Sequence, residues 1–319
     1  MREIDLFKKI LLERNSFLLI GHEKPDGDAI GALLALESLL KYFKKDSVLV
    51  CKTKVPTIFQ FLPRFEKIES DFLIGDYDAL ILLDNGELKR TGFSQRINLA
   101  AKKRIPIINI DHHPQNDIWK IAQINFANAN FSSTCQILYQ IFEKLNVPLE
   151  RDSATALLTG IYYDTGGFQH KNTSEKVFLI ASQLLSCGAN LKQISRSLYL
   201  SRSVAMLKLW GIALERMRKI EGAGLVISII TNEDILKCEA SEDEVSGLVN
   251  LISSASEASV SLLLYETSDG KIKGSLRSDS DGFDVSKLAS YFGWGGHKRA
   301  SGFVVEGKLE QNGNIWQII

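Results

Sequence analysis

Side chains suited to hard metal ions collect in four short segments: His22, Asp26 and Asp28 in GHEKPDGDAIG, Asp84 in LLDNG, Asp111-His112-His113, and Asp164 in IYYDTGGF. Carboxylates crowded into one crevice repel each other unless a cation neutralises them. Imidazole and carboxylate donors without thiolate suit Mn2+, and the same set also serves Mg2+, Co2+, Fe2+ or Zn2+. Six candidate ligands from these segments exceed what one ion takes from a protein while leaving room for substrate. Two divalent cations about 3.5–4 Å apart, bridged by one carboxylate, would use them well. Such a pair suits hydrolysis at phosphorus: it yields hydroxide near neutral pH and neutralises phosphoryl oxygens.

Each residue has a plainer use as well. Asp26 or Asp28 suits the N-cap of a following helix. Asp84 before Asn85-Gly86 and Asp164 before Thr165-Gly166-Gly167 suit turns. A complementary half lies near the end of the chain, in SLRSD at 275–279 and FGWGGHKRASG at 292–302. Glycines let a backbone approach an oxyanion, and Arg277 has the fork to clamp a phosphate. His297, Lys298 and Arg299 add donors. The alternative there is a glycine-rich turn between a helix and a final strand.

The elements that must position these groups can be read from apolar runs. SFLLIG (16–21), SVLVCK (47–52), ALILLD (79–84), IPIINID (105–111) and AQINF (122–126) are nearly continuous, as parallel strands covered on both faces are. A helical stretch at 28–45 joins the first two, which makes a βαβ unit and points to a doubly wound, mainly parallel sheet. Ligands bind off the carboxyl ends of such strands, where His22, Asp84 and Asp111-His112-His113 fall. From about 132 to 220 the pattern is mostly helical. GLVISII, SVSLLLY, KIKGSLR and GFVVE then read as a second, mixed sheet, with a helix over SEDEVSGLVNLISSASE between the first two. The expected layout is α/β: a metal-binding catalytic domain at 1–190, a helical connector at 191–219, and a smaller α/β substrate-binding domain at 220–319.

Of the 319 residues 45% are apolar and 24% charged, which suits a soluble globular protein and excludes wholesale disorder. Lys+Arg and Asp+Glu number 38 each, so there is no basic field for coating long duplex nucleic acid, although a short anionic ligand still fits. Glu3, Asp5 and Glu13 interrupt the apolar N-terminus, so it reads as neither a signal peptide nor a membrane span. The four cysteines (Cys51, Cys135, Cys187, Cys238) are dispersed without a CxxC pair, and read as buried thiols of a cytoplasmic protein.

In order and spacing, HxxxDxD at His22, Asp26 and Asp28, then Asp84, Asp111-His112-His113 and Asp164-Thr165-Gly166 resemble the DHH phosphoesterase superfamily. The SLRS and Gly-Gly-His tail resembles the DHH-associated C-terminal domain. Nearly the whole chain is covered, and within the superfamily it is most similar to the two-domain bifunctional oligoribonucleases and pAp phosphatases. The resemblance implies Mn2+-dependent release of nucleoside 5′-monophosphates from RNA a few nucleotides long, and removal of the 3′-phosphate of pAp, by metal-activated hydroxide. It implies one ion held by His22, Asp26 and Asp84, and another by Asp28, Asp84, His112 and Asp164, with Asp84 bridging. Asp111 would orient the neighbouring imidazoles, and His113 would contact the scissile phosphate and assist the leaving oxygen. Arg277, Ser278, Trp294, Gly295, Gly296 and His297 would bind substrate, Arg277 and His297 gripping a remote phosphate across an inter-domain cleft. The implied partners are short RNA, pAp and pApA, with no long duplex and no membrane; a homodimer is compatible.

Two departures stand out. Trp294 precedes Gly295-Gly296-His297 where the family usually has a third glycine; it either stacks on a base, worth about 1–3 kcal/mol, or packs the turn. Ala300-Ser301-Gly302 replaces the commoner Ala-Ala-Gly. Rival readings are a cyclic di-AMP or pApA phosphodiesterase with the same chemistry, and a metal-dependent nucleotide-binding protein without turnover. Against the second, every inferred ligand is present. An inorganic pyrophosphatase would lack use for the tail, and a processive RecJ-type exonuclease is normally longer.

Overall fold

Ile4, Phe7 and Leu11, at helical spacing, bury one face of α1 (Arg2–Glu13). In β1 (Ser16–Ile20) successive side chains enter two different cores, Phe17 and Leu19 on one face, Leu18 and Ile20 on the other. Burial on both faces explains why the run is apolar without alternation. The first part of the chain continues α2 (Gly27–Tyr42), β2 (Asp46–Val50), β3 (Ile68–Glu69), β4 (Ala79–Leu83), α3 (Ser94–Lys102), β5 (Ile107–Asp111), β6 (Ile124–Ala127), α4 (Thr134–Leu145), α5 (Arg151–Asp164), α6 (Glu175–Ser186) and α7 (Leu191–Ser195). This is a computed structural model describing residues 2–73, 77–114, 117–200, 202–255, 258–278, 280, 282–313 and 315–319, with 2, 199, 200 and 297 described by backbone alone. It divides into two compact units, Met1–Ser201 and Arg202–Ile319.

The first unit holds a six-stranded parallel sheet in the order β3-β2-β1-β4-β5-β6. The chain winds outward from β1 to β3, then returns to β1's other side with β4. The winding direction therefore reverses between β1 and β4, and a crevice opens at their carboxyl ends. Two glycines set the layer that covers one face. A Cβ on Gly31 of α2 would lie 2.4 Å from the Ala156 carbonyl oxygen in α5. A Cβ on Gly160 of α5 would lie 2.4 Å from Cys135 Sγ and 2.6 Å from Asp28 Oδ1. Their absence lets α2 and α5 meet backbone to backbone, with Cys135 Sγ of α4 seated against both glycines.

The second unit runs α8 (Val204–Glu215), β7 (Arg218–Ile220), β8 (Leu225–Ile230), α9 (Asn232–Lys237), α10 (Leu248–Ser253), β9 (Val260–Glu266), β10 (Lys271–Arg277), α11 (Val285–Ser290), β11 (Gly296–His297), β12 (Ala300–Glu306), β13 (Leu309–Asn312) and β14 (Ile315–Ile318). Its mixed sheet has the order β11-β12-β10-β9-β8-β7, with β8 and β9 parallel and the other pairs antiparallel. β13 and β14 form a separate hairpin.

Within 191–219, α7 buries Ile194 in the first unit's core, while α8 buries Leu209, Trp210 and Ala213 in a core of the second. Two expectations are corrected here. The helix expected over 241–257 is interrupted, because Gly247 takes φ +85 and starts α10 afresh. Cys187 is exposed, unlike Cys51, Cys135 and Cys238. No described helix is long and apolar enough to cross a membrane.

Candidate metal centre

His22 lies just past β1, and Asp84 just past β4, at the crevice. Asn85 ties these two strand ends together by donating Nδ2 to the carbonyls of Ile20 and Leu83, each at 3.0 Å. Asp84 itself takes φ +60, a conformation that Asp tolerates better than most side chains. Asp26 is the N-cap of α2, its Oδ1 accepting from the N–H groups of Asp28 (3.0 Å) and Ala29 (3.1 Å). Capping does not remove it from the cluster: His22 Nε2 is 3.7 Å from Asp26 Oδ1 and 3.9 Å from Asp84 Oδ2.

Asp28 is fully buried and caps a helix far away in sequence. Its Oδ2 accepts from Thr134 N at 2.6 Å and its Oδ1 from Cys135 N at 2.9 Å, the first free donors of α4. Thr134 also donates Oγ1 to Asp84 Oδ1 at 3.1 Å. Opposite them His112 Nε2 stands 3.2 Å from Asp164 Oδ2, 3.6 Å from Asp84 Oδ1 and 4.0 Å from Asp28 Oδ2. Asp164 ends α5, and its carbonyl accepts from His170 Nδ1 (3.1 Å) and Asn172 Nδ2 (3.2 Å).

Three sets of ligand atoms come within 4.8 Å of one another: His22, Asp26, Asp84; Asp28, His112, Asp164; and Asp84, His112, His113. Asp84 stands between the first two sets, one oxygen toward His22 and the other toward His112. Asp111 belongs to none of them. Its Oδ2 accepts from Gly86 N at 2.7 Å, while its Oδ1 accepts from His113 N at 2.9 Å and lies 2.7 Å from His113 Nδ1. These bonds tie Asp111 to His113 and to the turn that follows Asp84.

The charges are poorly balanced by protein alone. Burial, then the charges of Asp28, Asp26 and other neighbouring carboxylates, push Asp84 well above the ordinary carboxylate range, and Asp164 is raised in the same way. Burial also raises Asp28 and lowers His112. In Asp26 and Asp111 burial is outweighed, by His22 and backbone N–H groups in the first and by His113 in the second, and both are held low. Elsewhere in this unit the buried Glu37 is met by Arg64 at 2.7 Å and Lys67 at 2.9 Å. Among the described residues Asp26, Asp28, Asp84 and Asp164 have no such Lys or Arg partner. His22 Nε2 is buried with no hydrogen-bond partner although it faces two carboxylates. A buried ring nitrogen without a partner is costly, and a cation between these groups would satisfy it. The donor set fits divalent metal.

The second unit's expected residues are placed as follows. Arg277 ends β10 and donates Nε to Asn250 Oδ1 at 2.8 Å. Ser278, expected at the ligand, is buried, and its hydroxyl donates to the Ser259 carbonyl at 2.7 Å. Trp294 is 52% exposed. Gly295 has open space where a Cβ would stand, whereas a Cβ on Gly296 would meet the Ala300 carbonyl oxygen at 2.8 Å, so that glycine serves the β11–β12 pairing. The side chain of His297 lies outside the described residues.

Thr134, Gly160, His170 and Asn172 support the centre but were not singled out from sequence. Ser133-Thr134 carries a recognisable capping signal, Ser133 being the N-cap of α4. Nothing local reveals that the helix start also receives Asp28.

A parallel sheet with carboxylates and imidazoles gathered at its switch point is the arrangement of a metal-dependent phosphoesterase. Residues 16–161 match the DHH family, N-terminal domain, and residues 222–318 match the DHHA1 domain. The chain belongs to the DHH family of phosphoesterases. It is 29% identical over 287 residues to the bifunctional oligoribonuclease and PAP phosphatase NrnA of Thermus thermophilus, covering 90% of this chain and 83% of that one. The protein of the same description from Mycoplasma genitalium is 26% identical over 299 residues, 93% of this chain and 90% of the relative. The crystal structure of an exopolyphosphatase-related protein from Bacteroides fragilis superposes with a TM-score of 0.90 at 28% identity, covering 96% of this chain and 92% of that one.

Proposed function

We propose that the chain hydrolyses phosphodiester bonds in short RNA oligonucleotides, releasing nucleoside 5′-monophosphates, and dephosphorylates pAp to AMP with Mn2+ in a two-metal site. The observation that carries this is the position of Asp84, one oxygen toward His22 and the other toward His112, beside the unpartnered Nε2 of His22. His22, Asp26 and Asp84 would hold one cation, and Asp28, Asp84, His112 and Asp164 the other. Divalent cations there supply polarisation of phosphoryl oxygens and a lowered pKa for bound water. The relatives named oligoribonuclease and PAP phosphatase support the substrate class.

The protein's own part is orientation. The low pKa of Asp111 keeps it ionised and acceptor-only, so His113 donates Nδ1–H to it, which sets the tautomer and the ring's direction. His113 is thereby presented to the scissile phosphate and to the leaving oxygen. Arg277 of the second unit is assigned to the end phosphate of the substrate, a role for its guanidinium fork; Ser278 holds the strand end that carries it.

The test is Mn2+-supported turnover of the purified protein on a 5′-phosphorylated RNA dinucleotide, pApA, pAp and cyclic di-AMP, compared by kcat/KM with EDTA as control. Linear dinucleotides and pAp leading, with loss in EDTA, supports the proposal. Cyclic di-AMP leading would keep the chemistry but change the substrate, and no turnover with bound Mn2+ would overturn it.

A further inference from the structure

The turn that carries Asp84 also places a guanidinium. Gly86 has φ +66, and a Cβ built there would lie 2.8 Å from Arg90 Nη1 and 3.5 Å from Cγ and Cδ2 of His113. Both side chains therefore lie against the same buried glycine, in room that a methyl group would fill. Backbone bonds hold Arg90 there: its N–H donates to the Glu87 carbonyl at 3.1 Å, and its carbonyl accepts from Glu23 N at 2.6 Å, next to His22. The side chain is half-buried, yet among the described residues it meets no carboxylate. Arg64, Arg96 and Arg216 each do.

We propose that Arg90 contacts the substrate phosphate beside His113, an assignment that rests on the phosphoesterase function above. Cations held among Asp26, Asp28, Asp84 and Asp164 offset those carboxylates and leave the phosphate's own charge to be met by protein. A guanidinium that meets no carboxylate among the described residues gives up no ion pair by taking that phosphate. Its planar fork matches two non-bridging oxygens, whereas an ammonium offers only a point charge. Arg90 thus acts as an anion clamp within the first unit, distinct from Arg277.

The experiment compares wild type, R90A and R90K for turnover of pAp and a 5′-phosphorylated RNA dinucleotide, for AMP binding by calorimetry, and for Mn2+ affinity. R90A is expected to lower kcat/KM about 100-fold and AMP affinity about 10- to 100-fold, with Mn2+ affinity and Tm unchanged. R90K recovers part of the loss, and added guanidinium ion at a few millimolar (on the order of 1–10 mM, well below denaturing concentrations) restores turnover to R90A but not to R90K. Wild-type kcat/KM and AMP affinity in R90A would overturn the assignment while leaving the proposed function standing. A loss in R90A that guanidinium does not relieve, accompanied by weaker Mn2+ binding or a lower Tm, would overturn it in favour of a structural role. If wild type turns over no phosphoester, the functional proposal fails, and AMP binding to the Mn2+-loaded protein still decides whether Arg90 is an anion clamp.

Discussion

Replacing Asp84 with Asn should make the metal-free protein more stable and the metal-loaded protein inactive. Asn keeps an oxygen for Thr134 Oγ1, now 3.1 Å from Asp84 Oδ1, and tolerates the φ of +60. What it removes is a buried charge. Ligand oxygens of Asp84 and Asp26 come within 4.8 Å, where two like charges cost about 3–4 kcal/mol at an effective dielectric of about 20. Asp26 keeps 32% of its side chain in solvent, which reduces the relief to about 1–3 kcal/mol. The sign with pH follows from the raised pKa of Asp84. The folded metal-free chain holds this proton to higher pH than the unfolded chain does, so the associated stability is present at low pH and lost as pH rises through the folded pKa. Urea unfolding in EDTA should therefore favour Asp84→Asn at pH 8, with the gap closing toward pH 5. Saturating Mn2+ should close that gap or reverse it, because wild type gains about 2.7 kcal/mol at a hundred times its Kd while the variant gains little, and turnover should be abolished. A variant less stable than wild type in EDTA at pH 8, or one that gains as much from Mn2+, would refute the reasoning.

Asp111→Asn leaves one acceptor for the donors of Gly86 (N, 2.7 Å) and His113 (N, 2.9 Å; Nδ1, 2.7 Å); kcat should fall about 10- to 100-fold with Mn2+ affinity retained, and an unchanged kcat would dismiss the orienting role. Gly160→Ala puts a Cβ 2.4 Å from Cys135 Sγ and 2.6 Å from Asp28 Oδ1; calorimetry should show about 1–3 kcal/mol of destabilisation together with weaker Mn2+ binding, and wild-type values for both would contradict the close-packing account. Arg277→Ala should raise KM for substrates with a phosphorylated end about tenfold or more and leave kcat nearly unaltered; an unchanged KM would remove the end clamp.

Much of the first unit was legible because its signals are local. Parallel strands buried on two faces must be apolar throughout, so SFLLI and ALILL announce themselves, and the residues that follow them face the crevice whatever the loops do. Asp26 shows the limit of such reading. Cap and cluster member looked like alternatives, yet one carboxylate does both, since Oδ1 takes two N–H groups of α2 while standing 3.7 Å from His22. Asp28 was legible as a carboxylate at the site, but its bonds to α4 join residues 106 and 107 positions apart. The broken helix at 241–257 was misread because the apolar spacing continues across Gly247, whose positive φ no spacing can announce.

The strands of the first sheet's centre, the family and the roster of carboxylates and imidazoles are readable from the amino-acid sequence, because strand burial and the run from strand to ligand are short-range properties. Which of those groups meet is set by tertiary packing. Strand order places β4 beside β1, and that adjacency brings Asp84 to His22. Contact of α2, α4 and α5 across Gly31 and Gly160 brings Asp28 to the start of α4 and seats it with Asp164 and His112. The turn at Gly86 sets Arg90 and His113 against one glycine. These are consequences of sheet order and interhelical distance, set by the summed burial of two cores on opposite faces of one sheet, and no segment read alone contains them.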